Sequence, residues 1–102
     1  MSYKVEFTER ALSEFSLLPK KVRDKLAVQI AALADDPRPT GASKIEGQPS
    51  CYRLRKGDYR IVYAVLDDQL FVLIVRAGHR KEVYKGMESL ARRIVRFTEN
   101  RQ

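Results

Sequence analysis

Cys51-Tyr52-Arg53-Leu54-Arg55-Lys56-Gly57-Asp58-Tyr59-Arg60-Ile61-Val62-Tyr63-Ala64-Val65-Leu66 is the run on which the reading of this chain turns. Two β-prone segments flank Gly57-Asp58, and a Gly there supplies the positive φ that a tight hairpin needs. With Gly57-Asp58 as the loop, Arg55 faces Arg60, Leu54 faces Ile61 and Tyr52 faces Tyr63. Tyr52, Leu54, Tyr59, Ile61 and Tyr63 then share the face that seeks burial, while Arg53, Arg55 and Arg60 share the other, with Val62 and Ala64 beyond. A slip of one residue would exchange the faces, so the basic face depends on this register.

Like charges set directly across a ladder repel, so pairing Arg55 with Arg60 costs stability unless an anion lies between them. Arg53 and Arg55 stand about 6–7 Å apart at the usual strand rise, which lets two guanidinium groups hold one phosphate and its neighbour. The plain alternative is that strand arginines serve solubility and edge protection.

Size and charge agree with a phosphate-rich partner. With 102 residues, 44% of them hydrophobic, residues 1–102 form one domain with a two-layer core. The net charge of +7 and the pI near 9.8 favour a polyanion such as nucleic acid. Up to Tyr52 there are eight Lys and Arg against seven Asp and Glu; from Arg53 onward there are twelve against six, so +6 of the +7 lies in the second half. Lys56, Arg76 and Lys81 belong to that half and join Arg53 and Arg55 as expected phosphate-binding residues. Cys51 is the only cysteine, which excludes an internal disulfide and a cysteine-based zinc site, and its expected role is a small buried residue beside a strand. The N-terminal stretch lacks the apolar core of a secretory signal and no apolar run exceeds six residues, so the expected setting is the cytoplasm, without a membrane.

In chain order, Tyr3 to Phe7 alternates like a half-exposed strand. Thr8 is placed to cap a helix with Ala11, Leu12, Phe15 and Leu18 inward. Pro19 suits the first turn of a second helix whose inner face carries Val22, Leu26, Ile30 and Leu33, backed by Ala27, Ala31 and Ala34. Asp35 to Gly41 ends this helical hairpin, and a loop through Pro49 leads to the central run. After Asp67-Asp68, Gln69 to Ala77 is so evenly apolar that both faces of the strand should be covered, as in a central strand. Whether Arg76 shares a face with Arg60 depends on the length of that second turn. Gly78 leads out of the strand into His79-Arg80-Lys81-Glu82-Val83-Tyr84, and Met87 to Phe97 reads as a last helix with Leu90, Ala91, Ile94 and Phe97 inward. The order β-α-α-β-β-β-α predicts an α+β fold, a mainly antiparallel sheet covered by the N-terminal helical hairpin, with a C-terminal helix.

One His, one Cys, no nucleophile elbow and no Gly-rich phosphate loop exclude most familiar catalytic groupings, and no metal or other cofactor is expected. What remains suits a metal-free transesterification of RNA, in which the ribose 2′-OH attacks the adjacent phosphorus and the 5′-oxygen leaves. That step needs in-line geometry, proton transfer and positive groups around the phosphoryl oxygens. Arginine supplies the last but is a poor base, so proton transfer falls to Tyr84, His79 or Glu82. Imidazole titrates in the right range, although a lone His after a strand is commonly a structural hydrogen bonder. Tyr84 offers a phenol and a ring that can stack on a base; its plain alternative is to seal the junction between the sheet and the last helix.

At these residues the chain resembles the RelE-type toxins of the RelE/ParE superfamily. The resemblance covers Phe7-Thr8-Glu9-Arg10-Ala11, Lys44-Ile45-Glu46-Gly47, Tyr52-Arg53-Leu54-Arg55, Gly57-Asp58-Tyr59-Arg60-Ile61-Val62-Tyr63, Gly78-His79-Arg80 and Val83-Tyr84. It implies a single RelE-like domain acting as a ribosome-dependent mRNA interferase. Arg60 and Arg80 would hold the scissile phosphate, Arg80 would serve as proton donor to the leaving oxygen, and Tyr84 would orient the 2′-OH and stack on the message. Arg53 and Arg55 stand where well-known members carry lysines, one of them proposed as general base. A lysine can lose its proton and an arginine cannot, which leaves Arg53 and Arg55 to bind phosphate and His79 or Tyr84 to move the proton. The implied partners are the message, the ribosome and a small antitoxin that covers the basic face or displaces the Met87 to Phe97 helix. The rival readings are a ParE-like toxin of the same fold acting on DNA gyrase, and a non-catalytic RNA-binding module.

Overall fold

The computed structural model describes residues 2–48, 50–86, 92 and 94. In chain order it contains β1 (Lys4–Phe7), α1 (Glu9–Ser16), α2 (Lys20–Ala32), β2 (Ser43–Lys44), β3 (Cys51–Lys56), β4 (Tyr59–Leu66), a 3₁₀ turn (Asp67–Gln69) and β5 (Phe71–His79). The strands form one five-stranded sheet in the order β1-β5-β4-β3-β2, antiparallel except for the β1–β5 pair. Among the described residues no helix is long and apolar enough to cross a membrane.

The central hairpin has the expected register, with Arg55 opposite Arg60, Leu54 opposite Ile61 and Tyr52 opposite Tyr63. Gly57 takes φ +59 in the turn, a region that side chains with a Cβ rarely adopt. β5 lies inside the sheet, and Phe71 to Ala77 are all buried, as an apolar run covered on both faces requires.

On one face, Leu54, Ile61, Tyr63, Val65, Val72, Ile74 and Ala77 meet Ala11, Leu18, Leu26, Ile30 and Leu33 of the helical hairpin. Thr8 caps α1 as expected, its Oγ1 accepting from the Ala11 N–H at 3.1 Å. Leu12, expected inward, is 55% exposed, and Ala27 and Ala31 also face solvent. Phe15 and Val22 pack at the rim of this core. Pro19 precedes α2 as its N-cap, at ψ 140, and does not occupy the first turn.

The opposite face holds a second core of Cys51, Val62, Ala64, Phe71, Leu73, Val75 and Val83, with Tyr84 and Ile94 packed against it. The arginines of the hairpin therefore rim an apolar floor on a sheet that is covered on both sides.

Two strand boundaries differ from the sequence expectation, one question it left open is answered, and one expected element falls outside the described residues. The stretch expected as loop contains β2, which pairs with β3 through Ser43–Arg53 and Lys44–Tyr52. The second turn is a 3₁₀ turn closed by Leu70 at φ 50, and Leu66 is opposite Phe71, so β5 begins at Phe71 and runs on through Gly78 to His79. A register shift between Val62 and Tyr63 sets Arg76 opposite Val62, on the face of Arg60. The expected helix at Met87 to Phe97 falls almost wholly outside the described residues; within it, Arg92 is exposed and Ile94 half-buried.

Candidate functional site

The site grows from the Gly57-Asp58 turn. Arg60, at the start of β4, curls back so that Nη1 donates to the Gly57 and Tyr59 carbonyl oxygens at 2.7 and 3.0 Å. The chain leaving β5 reaches the same turn, where the Arg80 N–H donates to the Asp58 carbonyl at 2.7 Å. Arg80 Nε lies 3.5 Å from Asp58 Oδ1, in a pair whose side chains are 55% and 63% exposed. Such a surface pair is worth at most about 1 kcal/mol and yields readily to a stronger anion. Arg55, exposed, stands across the ladder from Arg60. One turn thus anchors Arg60 and Arg80, with Arg55 alongside.

Two residues back along β3, Arg53 is half-buried and donates from Nη1 to Tyr84 Oη at 3.0 Å, with Cζ 5.8 Å from the centre of the Tyr84 ring. Among the described residues, Arg53, Arg55, Lys56, Arg60 and Lys81 make no ion pair with a carboxylate. Among the described residues no ion-paired carboxylate therefore offsets the pairing of Arg55 with Arg60, and Arg60 is met only by backbone carbonyls.

Arg76 does not belong to the phosphate-binding set. It is 5% exposed, and Nε donates to Glu14 Oε1 and Oε2 at 3.1 and 3.2 Å. Nη1 and Nη2 donate to the carbonyls of Lys85 and Glu82. β1 ends at Phe7 opposite Ile74, so beyond that point β5 has no strand neighbour on this side, and Glu14 of α1 takes the Ala77 N–H at 3.1 Å. The buried ion pair holds the 82–85 turn on the sheet, and with it Tyr84. Nothing in the spacing of Glu14 and Arg76 announces this; it requires the sheet register and the seat of α1.

His79 stacks edge-on to Tyr59 at 5.8 Å, and its Nδ1 accepts the Lys81 N–H at 3.1 Å. With that lone pair engaged, the neutral ring carries its hydrogen on Nε2 and offers a donor there. Lys56 is half-buried next to the turn, and Lys81 is exposed beyond Arg80.

A second polar centre escaped the sequence reading. Arg38 Nη2 and Asp67 Oδ2 are 2.5 Å apart, Arg38 Nε donates to Tyr52 Oη at 2.9 Å, and Tyr3 Oη donates to Asp67 Oδ1 at 2.6 Å. These contacts hold the Asp67 carboxyl below the usual carboxylate range, chiefly through the Arg38 hydrogen bond and then that of Tyr3. They join the loop after α2 to β1, β3 and the 3₁₀ turn.

Fold and site together define a small basic α+β domain with guanidinium groups and a phenol gathered at one end of an antiparallel hairpin. Residues 5–84 match the family described as ParE toxin of type II toxin-antitoxin system, parDE. The chain is 39% identical over 88 residues to the mRNA interferase toxin RelE of Escherichia coli K12, covering 82% of this chain and 92% of that one. The isolated E. coli RelE toxin superposes with a TM-score of 0.70 at 30% identity, covering 91% of this chain and 99% of that chain. The intact E. coli RelBE toxin-antitoxin complex matches with a TM-score of 0.68 at 35% identity, covering 76% and 96%. The chain belongs to this family of type II toxins.

Proposed function

We propose that this protein is the toxin of a type II toxin-antitoxin pair and, as a single cytoplasmic domain, a metal-free endoribonuclease that cuts messenger RNA on the ribosome. The observation that carries the reading is the joint anchoring of Arg60 and Arg80 on the Gly57-Asp58 turn, beside an Arg55 and a Tyr84 on the same basic surface. A relative at 39% identity is named an mRNA interferase toxin, and another is solved in a toxin-antitoxin complex, which supports the same reading.

In this scheme the ribose 2′-OH attacks the adjacent phosphorus, the 5′-oxygen leaves with a proton, and a 2′,3′-cyclic phosphate remains. Arg60 and Arg80 neutralise the charge that grows on the phosphoryl oxygens, and Arg80 donates a hydrogen bond to the leaving oxygen. Arg55, Lys56 and Lys81 bind flanking phosphates as fixed or mobile cations. Tyr84 orients the 2′-OH and stacks on the message, while the 2′-OH proton passes to water and the leaving oxygen takes one back from water. His79 shapes the turn and, with Nδ1 engaged, takes no part as base. The antitoxin silences the toxin by covering the basic face.

Primer-extension mapping of message ends after induced expression tests the reading. Cuts at decoding-site positions, with a loss of roughly 10²- to 10³-fold in rate for Arg60→Ala and for Arg80→Ala, are expected. Continued translation with a DNA-damage response would instead mean gyrase is the target. Loss of RNA affinity with a shallower salt dependence, and no cutting by the unmutated protein, would mean a binding module.

A further inference from the structure

We propose that Arg53 is a positioning residue for Tyr84 and does not itself bind an RNA phosphate. This rests on the ribonuclease reading above. Tyr84 sits in the 82–85 turn, whose backbone is fixed by Arg76 and by the buried Val83. Those contacts place the Cα of Tyr84, and the ring packs against the second core, but neither fixes the phenol oxygen at its far end. Arg53 holds that end, through the 3.0 Å hydrogen bond from Nη1 to Oη and the approach of Cζ to 5.8 Å from the ring centre.

Three features separate Arg53 from Arg55, its neighbour on the same face. Arg53 is half-buried, opposite the fully buried Val62, whereas Arg55 is exposed at the open end. Its Nε is shut off from solvent and finds no acceptor among the described residues. The Nε edge of its fork is therefore closed to an arriving phosphate, and a bidentate grip through that edge is unavailable. Its half-burial and its hydrogen bond to the phenol hold the side chain where it is.

The direction of the bond has a chemical consequence. A guanidinium has donors only, so Oη must accept from Arg53. The phenol's own hydrogen is then turned away from Arg53 and is free to meet a group arriving from solvent. Arg53 thus sets both the position of Oη and the sense in which it presents its hydrogen to the 2′-OH.

The test is a double-mutant cycle on single-turnover cleavage of message on programmed ribosomes, with Arg53→Ala, Tyr84→Phe and the pair together. Each single change should slow cleavage by on the order of 10-fold or more, while adding Arg53→Ala to Tyr84→Phe should cost less than about 2-fold. The half-saturating ribosome concentration and the salt dependence of binding should be unchanged by Arg53→Ala. A phosphate ligand would behave otherwise: its loss would add to that of Tyr84→Phe and lower the salt slope by about 0.7. Arg53→Met keeps much of the buried stem and removes the donor to the phenol, and the same cycle run with it answers the question should the alanine variant not fold. The ¹³Cζ resonance of Tyr84 should move in either Arg53 variant, which reads the contact without reference to activity. Additive losses in a protein that cleaves, or an unmoved resonance, would overturn the assignment of Arg53 alone. Absence of cleavage by the unmutated protein would overturn the ribonuclease reading and this one with it.

Discussion

Glu14→Ala should weaken the protein out of proportion to a residue on the outer layer of a small domain. The Glu14 carboxylate receives Arg76 Nε on both oxygens and the Ala77 N–H, and lies 3.5 Å from Arg10 Nε. The Arg76 side chain is 6% exposed against 23% for Glu14, so removing the acid strands a guanidinium that water scarcely reaches. Breaking a buried pair from one side costs about 3–5 kcal/mol, and the partial exposure of Glu14 argues for the lower end. At about 4–8 °C per kcal/mol for a domain of this size, the melting temperature should drop by roughly 12–24 °C. Urea melts with the midpoint and slope both fitted provide the assay, and the loss should persist in high salt because a buried pair is poorly screened. Glu14→Gln keeps an acceptor for Ala77 and should cost less, while Glu14→Leu with Arg76→Met should recover much of the loss. A fall of less than about 4 °C for Glu14→Ala would refute the claim that this pair holds the 82–85 turn.

Asp67 makes stability depend on acid. Its pKa is lowered in the folded protein, so its contribution is present above the usual carboxylate range and is lost as pH falls through the folded value. Asp67→Asn should therefore be less stable than the parent in urea at neutral pH, with the difference closing in strong acid; a gap independent of pH would refute it. Burial pushes the Cys51 thiol up to about 11, which keeps it protonated and unreactive. Alkylation with iodoacetamide near pH 8 should proceed only once denaturant is added, and rapid labelling of the folded chain would show that β3 opens.

The hairpin, its turn and its two faces were legible because alternation has a period of two and a Gly-containing turn fixes the register. The unbroken apolar run marked β5 as an interior strand, and a hydroxyl just before a helical stripe marked Thr8 as a cap. β2 was not legible: Ser43-Lys44 has no alternation to read, and it is a strand only because β3 offers it an edge. Leu12 and Ala27 followed a helical stripe yet face solvent, since the tilt of each helix on the sheet decides which part of a stripe is covered.

For the site, composition and order along the chain by themselves determined that Arg53, Arg55 and Arg60 share a face and that His79, Arg80 and Tyr84 follow the last strand, because those relations are local. Only the tertiary structure decided what each charge meets. A register shift in β4–β5 and the seat of α1 deliver Glu14 to Arg76 across 62 residues and take that arginine out of contact with solvent. The fold brings Tyr84 to Arg53 across 31 residues, and Arg38 to Asp67 across 29. Charge at a position is a property of the residue, but whether it is free for a ligand depends on which distant side chain the packed chain sets beside it.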